Sequence, residues 1–174
     1  MAEYEFTVVI EGDLTNEEVA RALFEAGCDD GTFGVIDGMG YGDFIREAPS
    51  FADAVLVAIR QVESVGSLRV QRIEPDDIVT MADIADRMER SRESVRLLIA
   101  GRRGPGGFPS PISHGIERGR LWRWSAVAEW LEQLEPDEIE AAHFTAAINA
   151  ALELRSHLPA MSDELAAKEI QSFV

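Results

Sequence analysis

The chain has 174 residues, 46% of them hydrophobic, and its 32 acidic and 16 basic side chains give a net charge of −16. That length suits one ordinary domain or two small ones; no apolar run approaches the roughly 20 residues of a membrane helix, and Met1-Ala2-Glu3-Tyr4-Glu5 has neither the basic nor the apolar part of a secretory signal. The lone cysteine, Cys28, excludes an internal disulfide framework, so a cytoplasmic protein without membrane attachment is expected.

Residues 4–10 (Tyr-Glu-Phe-Thr-Val-Val-Ile) are β-branched and aromatic and predict a strand. Thr15 followed by Glu18 offers a capping box, Val19, Leu23 and Phe24 have helical spacing, and Gly27 closes that helix. Cys28 lies beside Asp29 and Asp30, acidic neighbours that raise a thiol's pKa and leave it a poor nucleophile. Residues 32–36 and 41–46 predict two short strands joined by the turn Asp37-Gly38-Met39-Gly40. Ser50 then caps a helix with Ala54, Val55, Ala58, Ile59 and Val62 on one face, Gly66 ends it, and residues 68–73 alternate as a last strand. The order β-α-β-β-α-β is that of the ferredoxin-like split βαβ fold, expected over residues 1–76.

Pro75-Asp76-Asp77 marks a boundary. Beyond it, Thr80 and Asp83 give a second capping signal before Ile84, Ala85 and Met88, and Ser91 caps a short helix with Val95, Leu98 and Ile99 facing inward and Gly101 at its end. Residues 101–119 form a glycine- and proline-rich loop, residues 121–124 a strand, and Ser125 starts a helix through Trp130 and Leu131. Pro136 stands at the first position of a further helix running to about His157. Its apolar residues Ile139, Phe144, Ile148, Ala151, Leu152 and Leu154 cover more than one stripe, a surface that calls for a partner. Residues 135–174 are therefore expected to be a helical dimerisation segment, ending in a short or frayed helix.

Charge is segregated along the chain. Residues 1–78 carry 17 acidic and 5 basic side chains, residues 79–124 carry 5 and 9, and residues 125–174 carry 10 and 2. All nine basic residues of the middle segment are arginines, and Lys168 is the only lysine in the chain. Arginine's planar fork suits phosphates and guanine edges, so a basic island between acidic flanks points to a polyanion bound locally. The two short helices joined by Glu89-Arg90 form a helix-turn-helix pattern. Its second helix would present Arg92, Glu93 and Arg96 to a major groove. Ser91 and Ser94 lie where hydroxyls and free backbone N–H groups suit a phosphate. Glu93 could accept from cytosine N4 or pair with Arg96.

The run Met81-Ala82-Asp83-Ile84-Ala85-Asp86-Arg87-Met88, then Ser91-Arg92-Glu93-Ser94-Val95-Arg96, resembles the start of the winged helix-turn-helix domains of the MerR and phage-excisionase superfamily. Gly101, Phe108-Pro109-x-Pro111, Arg123-Trp124 and Val127-x-x-Trp130-Leu131 match the same pattern further on, so the resemblance covers about residues 79–131. It implies that the helix begun by Ser91 reads the groove and that the loop before Trp122 is a wing on the DNA backbone. Carried over by position, Arg92 and Arg96 would contact bases or phosphates, and Arg102, Arg103, Arg118 and Arg120 would serve the wing; Arg123 completes the candidate set. The chain departs from the pattern in its long glycine-rich wing and in the acidic domain that precedes the motif, so metal or drug sensing does not carry over.

Other chemistry is set aside. His114, His143 and His157 have no second imidazole or cysteine at metal-ligand spacing, with His114 in the wing near a phosphate and the other two on a helix surface. Asp29-Asp30-Gly31 with Asp37-Gly38 lacks EF-hand spacing, and residues 38–42 are no dinucleotide fingerprint. No nucleophile–base set stands out, so neither enzyme activity nor a cofactor is expected. The expectation is an α+β protein with a ferredoxin-like domain (1–76), a winged helix-turn-helix (77–134) and a C-terminal helical segment (135–174). The function expected of it is sequence-specific binding of double-stranded DNA as a homodimeric transcriptional regulator. Three alternatives stand beside it: an antitoxin-like protein whose acidic domain neutralises a basic partner protein while the central module regulates its own operon, an excisionase-like architectural DNA-binding protein, and a ligand-sensing first domain.

Overall fold

The computed structural model describes residues 1–113, 119–131 and 133–172 of a mixed α+β chain. Two compact units result: Met1–Pro75 with Ala147–Val174, and Asp76–Ala146.

In the first unit, strands β1 (Ala2–Glu11), β2 (Gly31–Ile36), β3 (Met39–Ala48) and β4 (Arg69–Glu74) form an antiparallel sheet in the order β2-β3-β1-β4. Helix α1 (Glu17–Glu25) follows β1, and α2 (Phe51–Ser64) follows β3. One sheet face buries Phe6, Val8, Ile10, Phe44, Val70 and Ile73, and α2 packs on the sheet with Ala54, Val55, Ala58, Ile59 and Val62 buried. Phe6 and Phe44, paired in register across β1 and β3, stack with ring centroids 5.4 Å apart. The β2–β3 turn has only two residues, Asp37 (φ 52°) and Gly38 (φ 82°), both in the left-handed conformation that a tight hairpin turn requires. Consequently both strands run longer than the glycine-rich sequence predicts. Helix α1 is capped by Asn16, whose side chain accepts from Glu18 N–H at 2.8 Å, not by Thr15. The Thr15 hydroxyl instead donates to Asp13. Phe24, expected inside, is exposed, and Leu23 is the buried residue of that helix.

The C-terminal helices complete this unit. Helix α6 (Pro136–His157) begins with proline as expected, and Glu138 reaches back to the Glu135 N–H at 2.9 Å in half of a capping box. Asn149 on α6 accepts from Ile73 N–H (2.8 Å) and donates to the Ile73 carbonyl (2.9 Å), so one amide occupies both backbone groups of a residue on edge strand β4. Arg155 donates to the Val70 carbonyl and forms a two-point pair with Glu63, which itself accepts from Val70 N–H. Covering an edge strand in this way removes a template for unwanted pairing. The structure therefore draws the boundary differently from the expected 135–174 segment: residues from Ala147 on belong with the first unit because their polar side chains are anchored to β4. Of the apolar positions on α6, Leu152 is buried and Ile139, Phe144, Ile148 and Leu154 are half-buried within the single chain, leaving Ala151 exposed. A short helix α7 (Glu164–Gln171), capped by Asp163, follows.

The second unit pairs β5 (Ile78–Thr80) with β6 (Leu121–Arg123) and sets α3 (Met81–Arg87), α4 (Arg92–Ile99) and α5 (Trp124–Trp130) around one core. Val79, Ile84, Ala85, Val95, Trp122 and Val127 are buried together, with Met88, Ile99, Phe108 and Leu131 against them. Among the described residues no helix is long and apolar enough to cross a membrane.

Candidate nucleic-acid interface

Local sequence fixes the two helices of the central unit. Thr80 and Asp83 form a full capping box at the start of α3, with Asp83 accepting from Thr80 N–H at 2.7 Å. These Thr80 hydrogen bonds hold the Asp83 carboxyl below its ordinary value, and Arg87 and Arg92 lower it further through space. The chain then turns through Glu89, at φ 50°, and Arg90 N–H bonds back to the Ala85 carbonyl at 2.9 Å. That six-residue return closes the helix as a Schellman turn does. Ser91 starts α4, its hydroxyl accepting from Ser94 N–H at 3.2 Å. Ser91 and the Ser94 amide are thus engaged with each other, while the Arg92 and Glu93 amides stand in the first turn, where a helix supplies no partner.

The candidate arginines divide into two groups. Arg96 is bound by Glu93 through two hydrogen bonds of 2.7 Å on the exposed face of α4. The pairing raises the pKa of Arg96 and lowers that of Glu93. Of the two roles open to Glu93, the intrahelical pair is the one present. Arg123 donates at 2.9 Å to Asp77, a carboxylate only 2% exposed. Arg87 donates to the Asp76 carbonyl at 2.6 Å and lies 5.0 Å over the Trp124 ring, and burial lowers its pKa. By contrast Arg92, Arg102, Arg103 and Arg120 are exposed, and among the described residues no carboxylate lies within ion-pair distance of them. Arg92 opens α4 and Arg102 and Arg103 follow its other end, beyond Gly101, whose φ of 65° ends the helix. Eight helical residues at about 1.5 Å each separate these positive ends by roughly 12 Å of helix.

The glycine-rich loop is pinned by tryptophans. Trp130 Nε1 donates to the Gly106 carbonyl (2.8 Å), and Trp122 Nε1 donates to the Pro109 carbonyl (3.1 Å). Phe108 packs edge-on against Trp130 at 4.9 Å. Ile112 N–H bonds to the Leu121 carbonyl at 2.8 Å, and Leu121 N–H to the Ser113 hydroxyl at 2.9 Å, next to the exposed Arg120. Arg118 and His114, the two other wing contacts expected from sequence, lie outside the described residues.

Sequence reasoning missed Asp77. Its carboxylate accepts from Arg123 and from Ser125 N–H (2.7 Å), and its carbonyl accepts from Trp124 N–H (2.6 Å). Arg123, at the N-cap position of α5, makes no side-chain cap bond, so Asp77 supplies that cap from 48 residues upstream. The residue looked like a linker acid because nothing near it in sequence indicates its partners. Arg123, expected among the DNA contacts, is thereby paired with a buried carboxylate while its own side chain stays 48% exposed. In the first unit, the Cys28 thiol is pushed up to about 11 chiefly by burial; Arg46 opposes this, and Asp30 and Asp29 add to it. The acidic neighbours expected to dominate are the smaller cause.

Comparison with known proteins returns no matching family model, no matching curated protein and no matching solved structure.

Proposed function

We propose that the protein binds double-stranded DNA sequence-specifically through a winged helix-turn-helix in the Asp76–Ala146 unit and acts as a transcriptional regulator. One observation carries this reading: Arg92, Arg102 and Arg103 are exposed at the two ends of the serine-capped α4, with no carboxylate partner among the described residues, in a chain of net charge −16. A protein with so many acids has ample means to neutralise an arginine, as it does for Arg96 and Arg123. Uncompensated guanidinium groups on one short helix and the loop that follows are suited to phosphate oxygens and to base edges. The sheet order β2-β3-β1-β4 supports a ferredoxin-like reading of the first unit, and the β5–β6 ribbon with its tryptophan-pinned loop supports the wing. The homodimer belongs to the same proposal, since a two-fold pair of reading helices requires an inverted-repeat site.

Selection of bound oligonucleotides from a random duplex pool tests the reading. Enrichment of an inverted repeat with half-sites about 34 Å or a multiple apart is the expected result. Failure to enrich any sequence would overturn it and return weight to a basic protein partner for the acidic unit.

A further inference from the structure

The two edges of the first unit's sheet are treated differently. On β4, Asn149 occupies both backbone groups of Ile73, and Arg155 holds the Val70 carbonyl. Strand β2 forms the other edge and pairs only with β3. The two-residue turn at Asp37 and Gly38 makes Ile36 and Met39 a hydrogen-bonded pair, so the bonds to β3 come from Ile36, Gly34 and Thr32. The N–H and C=O groups of Phe33 and Val35 therefore point away from the sheet, and among the described residues they meet no hydrogen-bond partner. The side chains of Val35 and Ile36 are 43% and 56% exposed. Natural edges block pairing with charges, proline, bulges or a covering element. Strand β2 (Gly-Thr-Phe-Gly-Val-Ile) has no charge, proline or bulge, whereas β1, β3 and β4 each hold three charged residues.

The strand is also held in place. Phe33 lies across Gly42 on one face of the hairpin and Tyr41 across Gly34 on the other: a Cβ at Gly42 would stand 2.6 Å from the Phe33 ring, and one at Gly34 2.6 Å from the Tyr41 hydroxyl. An aromatic ring over the opposite glycine pins the register of an edge strand. An outward row of donors and acceptors is complemented by another strand, and charge decides whose. A basic segment finds no carboxylate on β2 to pair with, while a second copy of this acidic chain meets no like charge there. Antiparallel pairing about a two-fold axis at Gly34 sets Phe33 against Val35 of the second copy and Thr32 against Ile36, the first an aromatic–β-branched pair of the favourable kind. In that register Asp37 falls opposite Gly31 and Asp30 opposite Gly38, so no carboxylates are directly opposed, and Asp30 is already bound by Arg46. Sliding the partner by two residues either sets Asp37 against Asp29 or leaves Phe33 opposite the turn.

We propose that β2 is the contact between two copies of this chain, which join edge to edge into one continuous sheet with the register centred on Gly34. This edge, not the C-terminal helix, then supplies the interface of the homodimer. The pairing does not rest on DNA binding and is measured on the full chain without DNA, so a failed DNA selection leaves it standing. Sedimentation equilibrium should give the mass of two chains for the wild type. Val35→Pro removes an N–H that the hairpin does not use, a change edge strands tolerate. It should leave the fold intact and weaken the dimer by roughly thirtyfold, the worth of one hydrogen bond lost from each copy. Val35→Lys acts in the same direction through an exposed side chain, without touching the backbone. Thr32→Cys combined with Ile36→Cys, oxidised with diamide, should give a covalent dimer on a non-reducing gel, because these residues meet across the axis as a close non-hydrogen-bonded pair. Each single variant should stay uncrosslinked, since Cys28 is buried. Three results would overturn the proposal: a wild type that stays monomeric at high micromolar concentration, a dimer that both Val35 variants leave intact, or a dimer in which the paired cysteines do not bridge.

Discussion

Arg46 and Arg92 stand in two units that treat the same side chain differently. Arg46 is inserted between β3 and the loop after α1, gripped by Asp30 and shielded by Phe44. Arg92 projects from the first position of α4, with Asp83 acting on it only through space. The first unit buries a charge and must bond it closely, which the Asp30 carboxylate does at two nitrogens. The second keeps Arg92 in water, where a lone guanidinium has little effect on stability. On the proposed reading, an incoming phosphate or base is the partner such a group takes. The same contrast recurs inside the second unit between Arg123, held by a buried acid, and Arg102, which meets no carboxylate among the described residues.

The largest effect should come from breaking the held group. Asp77→Ala removes the acceptor for Ser125 N–H and for Arg123 at a site 2% exposed. A cost of about 3 kcal/mol is expected, the lower end of the range for broken buried pairs because Arg123 remains half in water. Urea unfolding measures it. A loss below about 1 kcal/mol, the worth of an ordinary hydrogen bond, would show that Asp77 is not what joins β5 to α5. Arg123→Ala should likewise lower stability before it alters DNA affinity, which separates it from the remaining candidates.

The exposed group should behave in the opposite way. Arg92→Ala is expected to weaken specific DNA binding by roughly 1–3 kcal/mol while moving stability by less than about 0.5 kcal/mol, as surface changes do. Fluorescence anisotropy and thermal unfolding of the same variant give both numbers. A variant that unfolds, or that binds like wild type, removes the contrast between Arg92 and Arg123.

Asp83 links helix capping to acidity. Its folded pKa is lowered, so its stabilising contribution is complete above the ordinary carboxyl value of 3.8 and fades as the pH falls through the folded value. Asp83→Ala should cost about 1 kcal/mol at neutral pH. It should also lose less further stability than the wild type between about pH 5 and about pH 3. Parallel pH curves for the two proteins would mean that the capping carboxylate is not a source of acid sensitivity.

What could be read along the chain was local. Ser50, Thr80 and Ser91 cap the helices they precede, Pro136 opens α6, and the apolar faces of α2, α3 and α4 are the buried ones. The Thr15 signal failed because Asn16, one residue on, caps the same helix with a shorter reach. Distant pairings were invisible: Asp77 meets Ser125 across 48 residues and Asn149 meets Ile73 across 76, and no periodicity encodes which polar group will find which. The candidate arginines were legible as a basic island. The Glu93–Arg96 pair was legible too, at helical spacing; the neutralisation of Arg123 was not, because Asp77 and Arg123 lie far apart in sequence and only folding brings them together.

The finest distinction lies between Arg92 and Arg96, four residues apart on one helix. Both look equally suited to a groove, yet Arg96 is held twice by Glu93, and both side chains are more than half exposed. An exposed pair of this kind is worth little to the fold, so Arg96 can be drawn away by phosphate at small cost. Arg96→Ala should therefore weaken binding less than Arg92→Ala. Glu93→Gln, by releasing Arg96, should strengthen binding to all duplexes and steepen the salt dependence by about 0.9 in log–log slope, the increment for one added phosphate contact. Arg102→Ala should shift the slope by the same amount in the other direction. If Glu93→Gln instead weakens binding to one sequence alone, Glu93 is reading a base, and the pair seen here is the resting arrangement of two direct contacts.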